Sequence, residues 1–303
     1  MFPGARAHRD STAGMRSGEP SVAAAPGNTA GTDSSEPPVA DAPGNAAYVV
    51  VGAPLDASTT FQPGTRFGPR RVRHFAESFD DYDHHTDQHF TDLDVADHGN
   101  IGPTDDTEEY LDFLRGTLED VREEGAIPVT IGGEHTVTVA GVRAVDPDVF
   151  VCLDAHLDLR ESYANNPLSH ATVTHHALSV ADEAIVLGAR TGSETEWDRA
   201  SEADVTVVPP AEVADWEPPA AVRADRTYLS VDIDAADPGF APGTGTLEPF
   251  GLEPREMHDA VRAVAPHADG FDVVEVNDGD DGQAATLAAK LLRAFVFAHA
   301  AGE

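Results

Sequence analysis

Cysteine is nearly absent from this 303-residue chain, Cys152 being the only one. One thiol can build neither an internal disulfide nor a thiolate cage for a metal, and such scarcity fits a reducing cytosol. Basic residues are scarce too: 19 Lys plus Arg stand against 54 Asp plus Glu, for a net charge of −35. That balance excludes nucleic acid as a partner, because neutralising phosphates needs a basic face. Lysine is rarer still, since Lys290 stands alone and the other basic residues are arginines. An acidic, lysine-poor surface is read here as the mark of a salt-rich cytosol. In ~1 M salt the screening length is about 3 Å, so the acid excess concerns solubility and catalytic carboxylates must be recognised by position. No run of 18 apolar residues is found, so no membrane-spanning helix is expected. The first residues also lack the apolar core of a secretory signal.

What is present is 41% hydrophobic and 24% charged residues, the composition of one large globular α/β domain. Residues 1–46 are rich in Ala, Gly, Pro, Ser and Thr and poor in large apolar side chains. Such a segment cannot offset its ordering entropy and is expected to form a flexible tail before a domain over 47–303. From Tyr48 onward, short apolar runs recur: Tyr48–Gly52, Phe90–Val95, Ile127–Ile131, Val149–Leu153, Ala184–Leu187, Val205–Val208, Thr227–Asp232 and Phe271–Val276. Nearly continuous runs of this kind suit strands buried on both faces. Helical patterns lie between them; in Glu108–Glu124, Leu111, Leu114, Leu118 and Val121 fall at helical spacing. Alternation of the two predicts a three-layer α/β/α fold with a mainly parallel, about eight-stranded sheet. Ligands of such sheets bind beyond the carboxyl ends of the strands, so the residues that follow each run matter most.

Those residues are largely metal-binding types. Gly132-Gly133-Glu134-His135, Asp154-Ala155-His156-Leu157-Asp158 and Asp232-Ile233-Asp234 each follow or end a run, and Glu275 and Asn277 end another. Residues two apart in extended chain project from one face, which brings Asp154, His156 and Asp158 together, and likewise Asp232 with Asp234. Packing four carboxylates together without a cation would be strongly unfavourable. Their four charges match two divalent ions, and an oxygen-rich set with two imidazoles suits Mn²⁺ better than structural zinc. Two ions side by side would acidify a water between them, giving a nucleophile without Ser or Cys. The expected chemistry is metal-assisted hydrolysis.

These segments, together with Asp237-Pro238, Gly64–Arg73 (GTRFGPRRVR), Ser169–Val173 (SHATV) and Asp272–Asn277 (DVVEVN), resemble the ureohydrolase family of arginases and agmatinases. The match spans about residues 48–290 in the family's order. Ala241–Thr246 (APGTGT) resembles the agmatinase branch, and so does Asp158–Val173 (DLRESYANNPLSHATV). The resemblance implies two Mn²⁺ per subunit, one held by His135, Asp154, Asp158 and Asp232, the other by Asp154, His156, Asp232 and Asp234. It also implies that His170 shuttles a proton and that Glu275 faces the substrate guanidinium. The implied reaction splits agmatine into putrescine and urea. The same chemistry on 4-guanidinobutyrate, arginine or aminopropylagmatine is the nearest alternative. A non-catalytic family member and a one-metal deacylase are more distant ones. The partner expected is a small guanidino molecule, in a cytoplasmic homo-oligomer (a trimer or hexamer by resemblance).

Glu161 is the candidate for the distal ammonium of agmatine, with a solvated loop acid as its bland reading. Leu247, Phe250 and Asp278 replace the family's usual Pro, Gly and Pro, which raises the prospect that Phe250 narrows the substrate mouth. Asp80–His89 (DDYDHHTDQH) lacks regular ligand spacing and reads as a solvated acidic loop. His175 and His176 read as helix-surface or core histidines, and Cys152 as a small core residue.

Overall fold

The computed structural model describes residues 1–8 and 46–302. Nine strands form one sheet: β1 (Arg6–Ala7), β2 (Tyr48–Ala53), β3 (Val95–Asn100), β4 (Ile127–Gly132), β5 (Val149–Leu153), β6 (Glu183–Leu187), β7 (Val205–Val208), β8 (Thr227–Asp232) and β9 (Ala268–Val274). Their spatial order is β1-β3-β2-β4-β9-β8-β5-β6-β7, and every pairing is parallel. The apolar runs become strands because both faces are covered. In β2, Tyr48 and Val50 pack on one side of the sheet, and Val49, Val51 and Ala53 on the other. The first side meets α1 (Gly68–Ala76), α4 (Pro254–Val264) and α5 (Gln283–Gly302). The second meets α2 (Thr107–Glu123) and α3 (Thr138–Val145). Asp106 caps α2, accepting a hydrogen bond from Glu109 N, and Leu111, Leu114, Leu118 and Val121 form its buried stripe.

Helix α5 is long and apolar enough to cross a membrane by length and composition. Its apolar residues are spent inside the protein: Leu291, Leu292, Phe295 and Val296 are buried in the main core. Phe295 also stacks on Phe271 of β9, ring centroids 4.5 Å apart.

Two sequence expectations give way here. Phe90–Val95 is not a strand: Phe90–Asp92 is a 3₁₀ turn, Asp94 is left-handed, and the strand is the polar stretch Val95–Asn100. Apolar counting misses it because its buried Asp97 is paired, receiving both the Nε and Nη2 hydrogens of Arg73 from α1 at 2.9 and 2.8 Å. The acidic segment before it carries a small antiparallel hairpin, Tyr82–Asp83 with Gln88–His89.

Residues 1–8 also depart from the expected tail, whose remainder lies outside the described residues. Arg6–Ala7 adds a strand to the sheet edge against β3, and the Phe2 amide donates to Asp97. One buried aromatic near the start supplies what the composition average hid. Phe2 is buried against Phe90, with ring centroids 5.8 Å apart. Gly4 allows the approach, since it sits at φ +87° where a Cβ would lie 2.8 Å from the Phe90 ring. Phe2→Ala is expected to cost about 3 kcal/mol in denaturant unfolding. A loss under about 0.5 kcal/mol would mean that this segment does not hold its edge in solution.

Candidate metal centre

All parallel strands end on one edge, and the residues after them converge there. The Gly132-Gly133 pair lets the chain turn sharply out of β4. A Cβ on Gly133 would lie 1.9 Å from the Leu55 carbonyl oxygen, so only glycine fits. The turn is pinned on both sides: Gly133 N donates to Ala53 O, Glu134 N to Leu55 O, and Glu275 N to Gly133 O. His135 therefore enters the carboxyl edge buried. Its Nδ1 lies 3.2 Å from Asp154 Oδ2, 3.0 Å from Asp158 Oδ2 and 3.4 Å from Asp232 Oδ2.

His156 forms the second centre of convergence. Its Nδ1 is 3.0 Å from Asp234 Oδ2 and 3.5 Å from Asp154 Oδ1. Asp154 thus turns one oxygen toward each imidazole. Asp232 differs, because it pairs with His135 and not with His156; its second oxygen accepts the Asp234 amide at 2.8 Å, as Asp154 Oδ1 accepts the His156 amide at 2.6 Å. All six residues expected as ligands are therefore assembled, but only Asp154 has an oxygen on each histidine.

The cluster has the character of a cation site. His135 Nδ1 is buried without an aligned hydrogen bond, although three carboxylate oxygens face it at near-contact distance. Donor atoms that crowd one point without bonding one another suit a shared ligand sphere, and hard oxygens with imidazoles suit a divalent ion. Among the described residues, two groups have metal-binding spacing, His135–Cys152–Asp154 and Asp154–His156–Asp234. Cys152 lies on the wrong side of the ring: its Sγ is 3.8 Å from His135 Nε2, while the carboxylates surround Nδ1. Burial also pushes its thiol up in pKa, so it stays neutral as a core residue.

The electrostatics record uncompensated charge. Burial, then the like charge of Asp154, raises Asp158 to about 7. Burial and the neighbouring Asp234 and Asp154 hold Asp232 well above the carboxylate range. Asp154 goes the other way, since the imidazoles of His135 and His156 on either side of it outweigh its burial. Asp158 and Glu275 both adopt left-handed backbone, at φ 51° and 61°. Strain of that kind at non-glycine residues concentrates where geometry serves function.

A cavity of about 280 Å³ opens over these atoms and is also lined by His170 and Glu275. Glu275 Oε1 accepts the His135 amide at 2.8 Å. Burial first, then Glu134 and Asp234, lifts its pKa well above normal. His170 is shifted below the ordinary imidazole value, chiefly by burial.

Glu161 does not join the cavity. It is exposed and borders a neighbouring depression with Ser162 and His175. The cavity acid that sequence reading passed over is Glu196, buried on the short helix Glu194–Arg199. It accepts Arg160 Nη2 at 2.9 Å and both the amide and hydroxyl of Ser193. Phe250 lies outside the cavity wall, 87% exposed, and Leu247 is likewise outside. Also missed was Arg190, which donates to the backbone oxygens of Asp234, Ala235, Ala236 and Glu248 and so braces the loop carrying Asp234. It follows β6 by three residues, so the rule about strand ends that found the ligands points to it too.

Fold and site together define a class: an α/β/α protein that gathers carboxylates and imidazoles at the carboxyl edge of a parallel sheet, in groups with metal-binding spacing. The family follows from comparison. The family model described as "Arginase family" matches residues 46–298, and the chain belongs to that family. It is 35% identical over 256 residues to the N(1)-aminopropylagmatine ureohydrolase of Thermococcus kodakarensis, covering 81% of this chain and 88% of that protein. It is 31% identical to the agmatinase of Pyrococcus horikoshii, covering 81% and 89% respectively. Among solved structures, the agmatine ureohydrolase of Thermoplasma volcanium superposes with a TM-score of 0.79 at 32% identity, covering 85% of this chain and 91% of that one. The fold is thus the arginase-like α/β architecture, and the chemistry is that of a hydrolase of this family.

Proposed function

We propose that this chain is a cytoplasmic agmatinase that hydrolyses agmatine to putrescine and urea with two Mn²⁺ per subunit. The observation that carries the reading is Asp154, which offers one carboxylate oxygen to each of two histidine-carboxylate groups beneath one cavity. His135, Asp154, Asp158 and Asp232 would hold one ion, and Asp154, His156, Asp232 and Asp234 the other. When bound, the ions supply Lewis acidity that makes water nucleophilic near neutral pH. Glu275 binds the planar guanidinium by charge-assisted hydrogen bonds, and the cation supplies the positive charge its buried carboxylate lacks. His170, on the cavity wall, passes a proton to the amine as it leaves the guanidinium carbon.

A second reading has direct support in the relative from Thermococcus kodakarensis, whose name specifies aminopropyl-extended agmatine. Glu196 lines the cavity with Arg160 and both Ser193 donors gathered on its Oε2, an ion pair placed where the far end of a longer substrate would differ from that of agmatine. Urea release in high salt with Mn²⁺ from agmatine, N(1)-aminopropylagmatine, 4-guanidinobutyrate and arginine separates the possibilities. Agmatine is expected to have the highest kcat/KM. Preference for arginine would defeat the agmatinase assignment, and preference for the extended substrate would move it to the second reading.

A further inference from the structure

Glu134 is fully buried, carries a formal charge, and holds no place among the six ligands. Its Oε2 accepts the amides of Ala57 and Ser58, each at 2.6 Å, and that of Thr59 at 3.1 Å. Its Oε1 accepts the hydroxyls of Ser58 at 2.8 Å and Thr136 at 2.6 Å. A buried carboxylate with this many donors fixes the loop after β2 as firmly as a helix cap fixes a helix end.

Ser58 reaches from that loop to His170. Its Oγ accepts the His170 amide at 3.0 Å and lies 3.2 Å from His170 Nδ1. A serine hydroxyl has one hydrogen and two lone pairs. The hydrogen goes to Glu134, the shorter contact and the charged acceptor. Both lone pairs then face His170, one toward its amide and one toward Nδ1. Nδ1 can satisfy that contact only by carrying a hydrogen. In the neutral ring, Nε2 is then the basic nitrogen, and it is the one beside Thr60 Oγ1, at 3.4 Å on the cavity wall. The other hydroxyl near Nδ1, Ser169 Oγ, is farther away, at 3.4 Å against 3.2 Å for Ser58, so Ser58 makes the closer contact with Nδ1.

We infer that Glu134 and Ser58 are positioning residues that hold His170 in its Nδ1–H tautomer, so that Nε2 faces the cavity ready to take and return a proton. The inference rests on the proton-shuttling role proposed above for His170. The tautomer can nevertheless be measured without any substrate.

The test is ¹⁵N NMR of the full-length chain labelled in histidine, loaded with diamagnetic Mg²⁺, at pH 8 where this buried imidazole is neutral. The His170 resonances are assigned by their loss in His170→Asn. In the unaltered chain Nδ1 is expected to be pyrrole-like and Nε2 pyridine-like. Ser58→Ala is expected to lose that preference and to lower kcat for urea release by about 10- to 100-fold, with metal content and KM little changed. Ser58→Thr should keep the tautomer and restore most of kcat, and Ser169→Ala should keep the tautomer. Glu134→Gln should reverse it, because the amide would donate to Ser58 and turn its hydroxyl hydrogen toward Nδ1. A pyridine-like Nδ1 in the unaltered chain would overturn the inference, as would an unchanged tautomer in Ser58→Ala. The expected resonances in a chain that releases no urea would support the inference and defeat the ureohydrolase reading. Reversed resonances in a chain that does release urea would defeat the inference alone.

Discussion

Asp232→Ala is expected to strip bound divalent metal from the protein and abolish urea release, while His170→Ala keeps its metal and loses turnover. The difference follows from where each side chain ends. Asp232 closes β8, sends Oδ2 toward His135 Nδ1 at 3.4 Å, and holds the Asp234 amide with Oδ1 at 2.8 Å. Removing it deletes one charge from the cluster and also frees the turn that aims Asp234 at His156. Both groups of ligands are therefore weakened by one substitution. His170 touches Ser58, Thr60 and Ser169 and none of the six ligand side chains among its hydrogen-bond partners. Its loss should lower kcat by about 10²- to 10⁴-fold, the usual contribution of a positioned acid–base group. Elemental analysis of the purified variants beside urea release reads both effects. Equal metal loss in the two would show that His170 belongs to the metal centre and not to proton transfer.

The convergence of the six candidate ligands was legible from sequence because each stands at or just after the end of a buried strand. Asp154, His156 and Asp158 follow a buried strand and the turn out of β4 tolerates only glycine at Gly133, so strand ends point to one edge of the sheet, although Asp158 is left-handed and Asp234 lies in a 3₁₀ turn and not in extended chain. The supporting residues were not legible in that way. Ser58 and Glu134 are 76 positions apart, and Arg160 meets Glu196 across 36; neither pair has a spacing that marks it. Phe2 was hidden by averaging, since one buried aromatic outweighs a run of small residues in deciding whether a short segment docks. Asp97 was hidden because a charge in a strand interior argues against a strand until the arginine that neutralises it is known. Apolar patterning therefore recovers the elements, strand ends recover the candidate ligands, and long-range polar pairing recovers what holds them in place.

Metal binding is expected to release protons and to tighten as pH rises. Without a cation, the cluster balances its charge with hydrogen. Burial alone would depress His135, and against it stand Cys152 as a thiolate and the facing carboxylates of Asp154 and Asp158, which hold the imidazole well above its ordinary value. Because burial keeps the thiol neutral, the carboxylates carry that effect. Burial likewise works against His156, and Asp234 with Asp154 overcomes it. Asp158 sits at about 7 and Asp232 is also raised, so these carboxyls retain protons near neutrality. A divalent ion requires neutral imidazoles and ionised carboxylates, and must displace these hydrogens. Raised pKa values mean that the protonated, metal-free cluster is favoured at low pH and yields as pH climbs through them. Apparent affinity should then rise by up to about tenfold per pH unit for each proton released. Titration calorimetry of Mn²⁺ in two buffers of different ionisation enthalpy counts the protons. At a free metal concentration of about 100 Kd the folded state gains about 2.7 kcal/mol. At about 2–4 °C per kcal/mol, that raises Tm by roughly 5–10 °C. At fixed metal concentration the increment should shrink from pH 8 to pH 6, because binding weakens as the cluster regains its protons. An increment that grew toward pH 6, or binding without proton release, would mean that the histidines and carboxylates gathered around Asp154 are not the ligands.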